Sequence, residues 1–113
     1  LNSYGDIQWD NLYGFSSSIC YQVKPTSDGG YILAGRTRQI ATGSATRAYL
    51  LKLNSSGQIS WEFITGNTPW ARLFDVVETS TGTFMAVGTQ LDNNLQNAKM
   101  FQVYVNGGGG LIW

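Results

Sequence analysis

Hydrophobic and polar residues alternate in short segments along the chain, and clusters of Gly, Ser, Thr and Asn separate these segments. Near the middle of the chain, for example, Ile59, Trp61 and Phe63 alternate with polar residues. A period of two, with aromatic and β-branched residues at the hydrophobic positions, predicts strands. The one helix candidate, 70–77, is eight residues long and also fits a strand. The pattern therefore predicts an all-β protein.

The order of these segments repeats along the chain. Residues 1–9, 53–61 and 105–113 share one pattern, in which a hydrophobic residue and Asn precede Gly, a second hydrophobic residue and Trp. Their starts are separated by 53 − 1 = 52 and 105 − 53 = 52 residues, and 26–37 matches 79–90 at an offset of 79 − 26 = 53. A fixed period of this size indicates a repeat architecture. It predicts two units and the start of a third: 1–52, 53–104 and 105–113.

Turns that contain glycine join the predicted strands. The sequences at 2–5, 27–30 and 54–57 place Gly with Asn, Ser or Asp between hydrophobic runs, and their glycines permit the positive φ of a tight hairpin. We interpret Asp28 as a turn former whose carboxylate accepts hydrogen bonds from nearby backbone N–H groups. The stretch 107–110 is predicted to be a widened turn or a hinge, because neither Lys-Ser/Thr nor a helix follows it as in a phosphate loop.

The composition removes most catalytic chemistry. The chain has no His, the commonest general base and a major metal ligand, and its single Cys cannot supply a zinc site. Asp6 with Asp10, or Asp75 with Glu78, are close enough in sequence to pair, but solvated turn or strand-edge charges explain them better. We therefore expect no catalytic residue, no metal site, no cofactor and no enzymatic activity.

Charge and hydropathy restrict the partners and the location. Only 12% of the 113 residues are charged, against about 25% in typical domains. The net charge of +0 argues against a nucleic-acid partner, and no apolar run approaches the length of a membrane span. This composition is that of many extracellular β-proteins, so we expect a location outside the cell or at its surface. Cys20 is expected to be a small buried hydrophobic residue, with a reactive or intermolecular thiol as the alternative.

The first unit carries TSDGGYILAG at 26–35 and YLLKLNSSGQISW at 49–61. This combination resembles a tandem β-propeller repeat that is widespread in secreted bacterial and archaeal proteins. The resemblance covers almost the whole chain, but it is weaker in the second unit, where TGTF at 81–84 replaces DGGY at 28–31. It implies a four-stranded antiparallel blade for each unit and no common chemistry.

The resemblance also assigns the strands within each blade, from the innermost outward. The first blade comprises 19–26, 31–37, 48–54 and 58–64, and the second comprises 73–79, 83–89, 99–106 and 110–113. Segment 1–9 is then an outer strand that has no blade of its own ahead of it. The expected fold is two four-stranded propeller-like blades plus an extra outer strand.

The surplus outer strand leads to the functional prediction. Propellers typically have about four to eight blades, so two blades cannot close a ring, and uncovered apolar blade faces mark interaction sites. We expect a structural module that binds copies of itself, in a closed ring or head-to-tail in a filament. Its outer strands would pair with an open sheet edge of the next copy. The residues expected to mediate this pairing are Gly5, Ile7, Trp9, Leu111, Ile112 and Trp113.

Two other functions stay open from the sequence. Trp9, Trp61 and Trp113 recur at one repeat position, which favours packing between blades but also suits sugar stacking in a lectin built from two-blade subunits. Trp70 does not recur and lies in a predicted loop, so Trp70 and Arg72 are the better candidates for contact with a ligand, which we expect to be a glycan. Alternatively, the chain is a fragment of a larger secreted propeller and has no separate function.

Overall fold

The protein is described by a computed structural model that covers residues 18–38, 46–65, 70–91 and 97–113. The described residues form seven strands: β1 (Ile19–Pro25), β2 (Tyr31–Arg38), β3 (Thr46–Leu53), β4 (Ile59–Ile64), β5 (Ala71–Glu78), β6 (Phe84–Leu91) and β7 (Ala98–Val105). Their ends lie within two residues of the predicted ones, so the all-β prediction and these seven strands are confirmed. No helix suited to crossing a membrane occurs in this part of the chain.

The strands form two antiparallel sheets. The first sheet has the order β1-β2-β3-β4, and the second has the order β5-β6-β7. In the first sheet Leu33 pairs with Val23 and Leu51, while in the second Ala86 pairs with Val76 and Val103. Neighbouring strands are also consecutive in the sequence, as expected for antiparallel meanders.

The prediction of a fourth strand in the second sheet is wrong. Leu111 forms only an isolated bridge with Val105. The N–H groups of Ile112 and Trp113 donate to the carbonyl oxygen of Tyr104, whose own N–H donates to Trp113. Residues 111–113 therefore pair with β7 only at the start of the position that a fourth strand would occupy. In the first sheet, the corresponding strand β4 is six residues long.

The N-terminal part of the strand prediction lies outside the described residues. It comprises segment 1–9, with Gly5, Ile7 and Trp9, and the turn at 2–5. The extra outer strand therefore stays a prediction.

The four hairpin turns that the structure describes in full close with the same pair of backbone bonds. In each turn, the backbone N–H of the first residue donates to the carbonyl oxygen of the fifth residue. The carbonyl oxygen of the first residue accepts from the N–H of the fourth, and both bonds are 2.8–3.1 Å long. The turns span 26–30, 54–58, 79–83 and 106–110. The fourth residue of each turn is a glycine with positive φ: Gly29, Gly57, Gly82 and Gly109. The glycine-rich stretch 107–110 is therefore part of an ordinary turn of this type and is not widened.

A bulge interrupts the first strand pair of each sheet. Tyr21 and Phe74 are the inserted residues, and a glycine faces each bulge from the neighbouring strand. A Cβ atom at Gly35 would collide with the carbonyl oxygen of Ile19, and one at Gly88 would collide with that of Arg72. Glycine is therefore required where the bulged strand approaches its neighbour most closely.

Each sheet has two faces, named here from their residues. The face of the first sheet that carries Ile32 and Ala34 is its back face, and the face that carries Leu33 is its front face. In the second sheet, each face takes the name of the face that carries the equivalent residues of the first sheet, 53 positions earlier in the sequence. Ala86 then lies on the front face of the second sheet and Val87 on its back face.

The core lies between the back face of the first sheet and the front face of the second. It contains Ile32, Ala34, Ala48 and Leu50 from the first sheet, with Ala71, Leu73, Val76, Phe84, Ala86, Val103 and Val105 from the second. Burial of one large apolar side chain contributes about 1.5–3 kcal/mol. This interface therefore holds the two sheets together.

A second buried cluster lies on the front face of the first sheet. Tyr49, Leu51 and Leu53 form it. Three partly buried side chains pack against them: Tyr31, Leu33 and Ile64. Both faces of the first sheet are therefore apolar, so this sheet is suited to packing on two sides.

Candidate functional site

The back face of the second sheet is the most conspicuous exposed apolar surface of the described residues. Val77 is 47% exposed, Val87 40%, Met100 86% and Trp113 52%. These side chains lie on three neighbouring strands and the terminal segment, because Val77 pairs with Met85 and residue 113 bonds to β7. Contiguous apolar surface of this kind marks an interaction site on a soluble protein.

The sequence equivalents of this surface in the first sheet are covered. The predicted offsets relate Val87 to Ala34 and Met100 to Ala48. Ala34 and Ala48 are 1% and 0% exposed, because the second sheet packs on them. The chain thus presents the same kind of face twice, once covered by its own next sheet and once uncovered.

Trp61 shows how the covered face is sealed. Its ring packs against Phe84 with centroids 5.8 Å apart, and its indole N–H donates to the carbonyl oxygen of Gly107 at 2.9 Å. A Cβ atom at Gly109 would lie 2.7 Å from the indole, so only glycine permits this approach. Trp61 therefore joins β4 to the second sheet.

Trp113 is the predicted equivalent of Trp61 but has a different environment. Its ring meets Tyr104 of the adjacent strand, with centroids 5.6 Å apart. The side chain lies on the uncovered face, where 52% of its area is exposed. The same local sequence therefore produces a sheet-to-sheet contact at one position and a free aromatic surface at the other.

Polar contacts also join the two sheets of the chain, at β1 and at the turn that follows β1. Lys24 and Asp75 form an ion pair of 2.9 Å between β1 and β5, and the hydrogen bond from Lys24 lowers the pKa of the Asp75 carboxyl. The backbone N–H and the hydroxyl of Ser27 each donate to Glu78 at 2.8 Å. Asp75 and Glu78 therefore bind the first sheet separately and do not form a carboxylate pair.

Asp28 caps its turn, as the sequence indicates, and it also forms an ion pair. Its carboxylate accepts from the N–H of Gly30 at 3.0 Å and from the hydroxyl of Thr26. It also pairs at 2.9 Å with the ammonium of Lys52, which is buried and donates to the carbonyl of Leu53 as well. The hydrogen bonds from Thr26 and Lys52 hold the pKa of Asp28 well below its usual range. Sequence reasoning missed Lys52, because strand alternation gives no sign that a lysine is buried.

The second sheet replaces this ion pair with hydroxyl groups. Thr81 and Tyr104 are the predicted equivalents of Asp28 and Lys52. The hydroxyl of Thr83 donates to that of Tyr104 at 2.8 Å, and Thr79, Thr81 and Thr83 are joined by hydrogen bonds. Tyr104 therefore places an aromatic ring on the uncovered back face instead of a charge.

The two residues predicted to touch a ligand are Trp70 and Arg72. Trp70 has a φ of 61°, an uncommon value for a bulky residue. Its N–H donates to the carbonyl of Thr46 at 2.7 Å, and its carbonyl accepts from the N–H of Leu91 at 3.2 Å. The guanidinium of Arg72 lies 5.7 Å from the ring centroid of Phe74. The backbone of Trp70 thus links the two sheets, while Arg72 is engaged with another aromatic ring.

Cys20 is exposed on β1, so the expectation of a buried residue is wrong. Its thiol donates to the carbonyl of Gln22 at 3.3 Å. Desolvation of the sulfur raises the pKa of this thiol above its ordinary value. The reason for the error is that β1 is an edge strand whose described side chains are half-buried or exposed along its whole length.

The acidic and cysteine side chains of the described ranges form no group of three that could hold a metal ion. Comparison with known proteins finds no match, either among family models or among curated proteins. Information on the uncovered face therefore comes from its own residues and from the interface between the two sheets, where the equivalent face is covered.

Proposed function

We propose that this protein is a non-enzymatic structural module that binds copies of itself through the back face of its second sheet. The observation that supports this proposal is that the equivalent face of the first sheet is buried under a neighbouring sheet, whereas this face is uncovered. Exposed Val87, Met100 and Trp113 would gain about 25 cal/mol for each square ångström removed from water. An extracellular or cell-surface location accompanies this proposal.

The complementary surface in the other copy is the front face of its first sheet. Inside the chain, Val103 and Val105 cover the back face of the first sheet, and their sequence equivalents on the proposed surface are Leu51 and Leu53. Leu51 and Leu53 are already buried in the single chain, whereas Val23 on β1 of the same face is exposed. The second copy would therefore meet the β1 side first. Complete docking requires Leu51 and Leu53 to exchange their present contacts.

Such contacts join two different surfaces and are therefore heterologous. If the rotation between copies closes, the sheets become blades of a propeller-like ring, of six blades with three copies or eight with four. If the rotation does not close, the copies form an open filament. Both arrangements use one interface repeated from copy to copy.

A charge placed on the uncovered face tests this proposal. Val87→Lys would bury an unpaired ammonium in the interface, which costs several kcal/mol and weakens association about a hundredfold or more. Ser55→Lys adds the same charge in an exposed turn on another part of the surface and serves as the matched control. Sedimentation velocity at increasing protein concentration measures the association.

We expect the wild type and Ser55→Lys to sediment as assemblies, and Val87→Lys to sediment as a single chain. Circular dichroism of Val87→Lys should match that of the wild type, since the position is already 40% exposed. Assembly of Val87→Lys at the wild-type concentration would show that this face is not the interface.

A second candidate function is carbohydrate binding between blades. The observation in its favour is the aromatic pair of half-buried Tyr104 and exposed Trp113, since flat aromatic rings suit stacking on sugar rings. A glycan array followed by a tryptophan-fluorescence titration separates the two functions. A lectin would respond to a sugar as a single chain, whereas a purely structural subunit would not respond at all.

A further inference from the structure

Two exposed aromatic rings meet where the first strands of the two sheets, β1 and β5, approach each other. Tyr21 of β1 and Phe74 of β5 are 38% and 41% exposed, and their ring centroids are 4.9 Å apart with an interplanar angle of 58°. Each is the extra residue of a bulge, and a bulge redirects its side chain out of the regular alternation of a strand. The two bulges therefore build one aromatic surface from equivalent positions of both units.

Arg72 adds a positive charge to this surface. Its guanidinium carbon lies 5.7 Å from the ring centroid of Phe74. Both ion pairs among the described residues use other cations, Lys24 and Lys52. A guanidinium that stacks on an aromatic ring keeps its N–H donors in its own plane, where they can bind a carboxylate through two parallel hydrogen bonds. The sequence predicted Arg72 as a ligand contact beside Trp70, whereas the ring next to it in the structure is that of Phe74.

The ion pair of Lys24 and Asp75 borders the rings on the other side of Phe74 along β5. Asp75 follows Phe74 directly, and its carboxylate lies 2.9 Å from the ammonium of Lys24. Both side chains are partly exposed, so a donor and an acceptor lie side by side at the surface. Such a pair suits the hydroxyl groups of a sugar, because each hydroxyl both donates and accepts. The carboxylate of Asp75 would also repel a strongly charged group such as a phosphate.

We propose that Tyr21, Phe74 and Arg72 form a binding site for an acidic sugar unit of a glycan. The C–H face of the sugar ring packs on the two aromatic side chains, and the sugar carboxylate binds Arg72. This site is separate from the aromatic pair of Tyr104 and Trp113. The proposal adds a ligand to the self-associating module and does not depend on its assembly.

Isothermal titration calorimetry with trigalacturonate tests this site. The matched ligand control is the methyl ester of trigalacturonate, which keeps the sugar rings but carries no negative charge. Arg72→Gln removes the cation and keeps a planar polar side chain, and Phe74→Leu removes the ring and keeps an apolar side chain. Lys99→Gln removes an exposed cation of β7, outside the site, and serves as the control variant.

We expect the wild type and Lys99→Gln to bind trigalacturonate with equal affinity, and to bind the methyl ester about tenfold or more weakly. Arg72→Gln should weaken the binding of trigalacturonate about tenfold or more, because it loses charge-assisted hydrogen bonds. Phe74→Leu should weaken it severalfold through the loss of the ring face. Circular dichroism spectra of the variants should match that of the wild type, since all three side chains are exposed or half-buried.

Three results would overturn this site. One is equal affinity for trigalacturonate and its methyl ester, since Arg72 would then not recognise the carboxylate. Another is binding that Arg72→Gln leaves unchanged and Trp113→Ala abolishes, which would place the sugar on the other aromatic pair. The third is absence of binding to trigalacturonate at millimolar concentration. None of these results bears on self-association, which sedimentation measures separately.

Discussion

At the residue scale, the two units place different polar side chains, Lys52 and Tyr104, at one equivalent position, and each side chain has a different partner. The position of Lys52 is buried at the end of β3, and its ammonium needs the carboxylate of Asp28. The corresponding position in the second sheet is Tyr104, which needs only the hydroxyl of Thr83. A buried ammonium is costly without a partner, whereas a phenol is much less so.

Removal of the carboxylate therefore has a specific predicted cost. Asp28→Ala should lower the free energy of unfolding by about 1–3 kcal/mol, because Lys52 stays buried with only a carbonyl as acceptor. Adding Lys52→Met should recover most of this loss, since both partners are then apolar. Urea unfolding at low protein concentration measures both variants. Equal stability of the single and double variants would contradict the role given to the pair.

The pH dependence supplies an independent check of the same pair. The folded-state pKa of Asp28 lies below the unfolded one, so its contribution to stability is present above the ordinary pKa of about 3.9. That contribution is lost as the pH falls below this value. Asp75 behaves in the same direction, because Lys24 lowers its pKa. The double variant Asp28→Ala/Lys52→Met should therefore lose less stability than the wild type between neutral and acid pH.

At the element scale, Trp61 and Trp113 show what packing adds to a repeated sequence. Trp61 lies between the sheets against Phe84 and the turn at 106–110. Trp113 follows the same local sequence and is exposed. The difference arises because a sheet covers the first residue within the chain and none of the described strands covers the second.

This contrast predicts unequal effects of the same substitution. Trp61→Ala should lower the free energy of unfolding by about 3 kcal/mol, as for other large aromatic residues at a packed interface. Trp113→Ala should change it by less than about 0.5 kcal/mol, as for a surface substitution. Denaturation of each monomer followed by far-ultraviolet circular dichroism gives the comparison. Similar losses in the two variants would show that the contact of Trp61 with the second sheet does not stabilise the fold.

The strands and turns could be predicted from the sequence, because period two and positive-φ glycines are local signals. Seven strands and the turn glycines Gly29 and Gly57 followed in this way. Burial could not be predicted so well, because it depends on which face meets another sheet. Lys52 is therefore buried although it alternates with leucines, and Cys20 is exposed because β1 is an edge strand.

The candidate surface was predictable only in part. The sequence indicated that two blade-like units leave apolar faces uncovered. It also predicted that Trp113 is one of the residues that mediate contact between copies. It did not identify Val87 or Met100, since their exposure depends on which sheet face another sheet covers. It also did not show that Leu111 forms only an isolated bridge with Val105.

At the scale of the whole molecule, the chain contains one complete sheet-to-sheet interface and the two surfaces from which another would be built. One is the uncovered back face of the second sheet, and the other is the front face of the first sheet with its buried Leu51 and Leu53. Because these surfaces differ, each copy would bind two others in the proposed self-association. The expected products are therefore rings or filaments with one repeated contact.

Negative-stain electron microscopy of the purified chain at micromolar concentration tests directly whether copies of the chain assemble. We expect particles far larger than one 12.4 kDa chain, either discrete rings of three or four copies or continuous filaments. Rings would show that the rotation between copies closes, and filaments that it does not. Fields without such particles, for a preparation that sediments as a folded single chain throughout the same concentration range, would contradict self-association through the uncovered face.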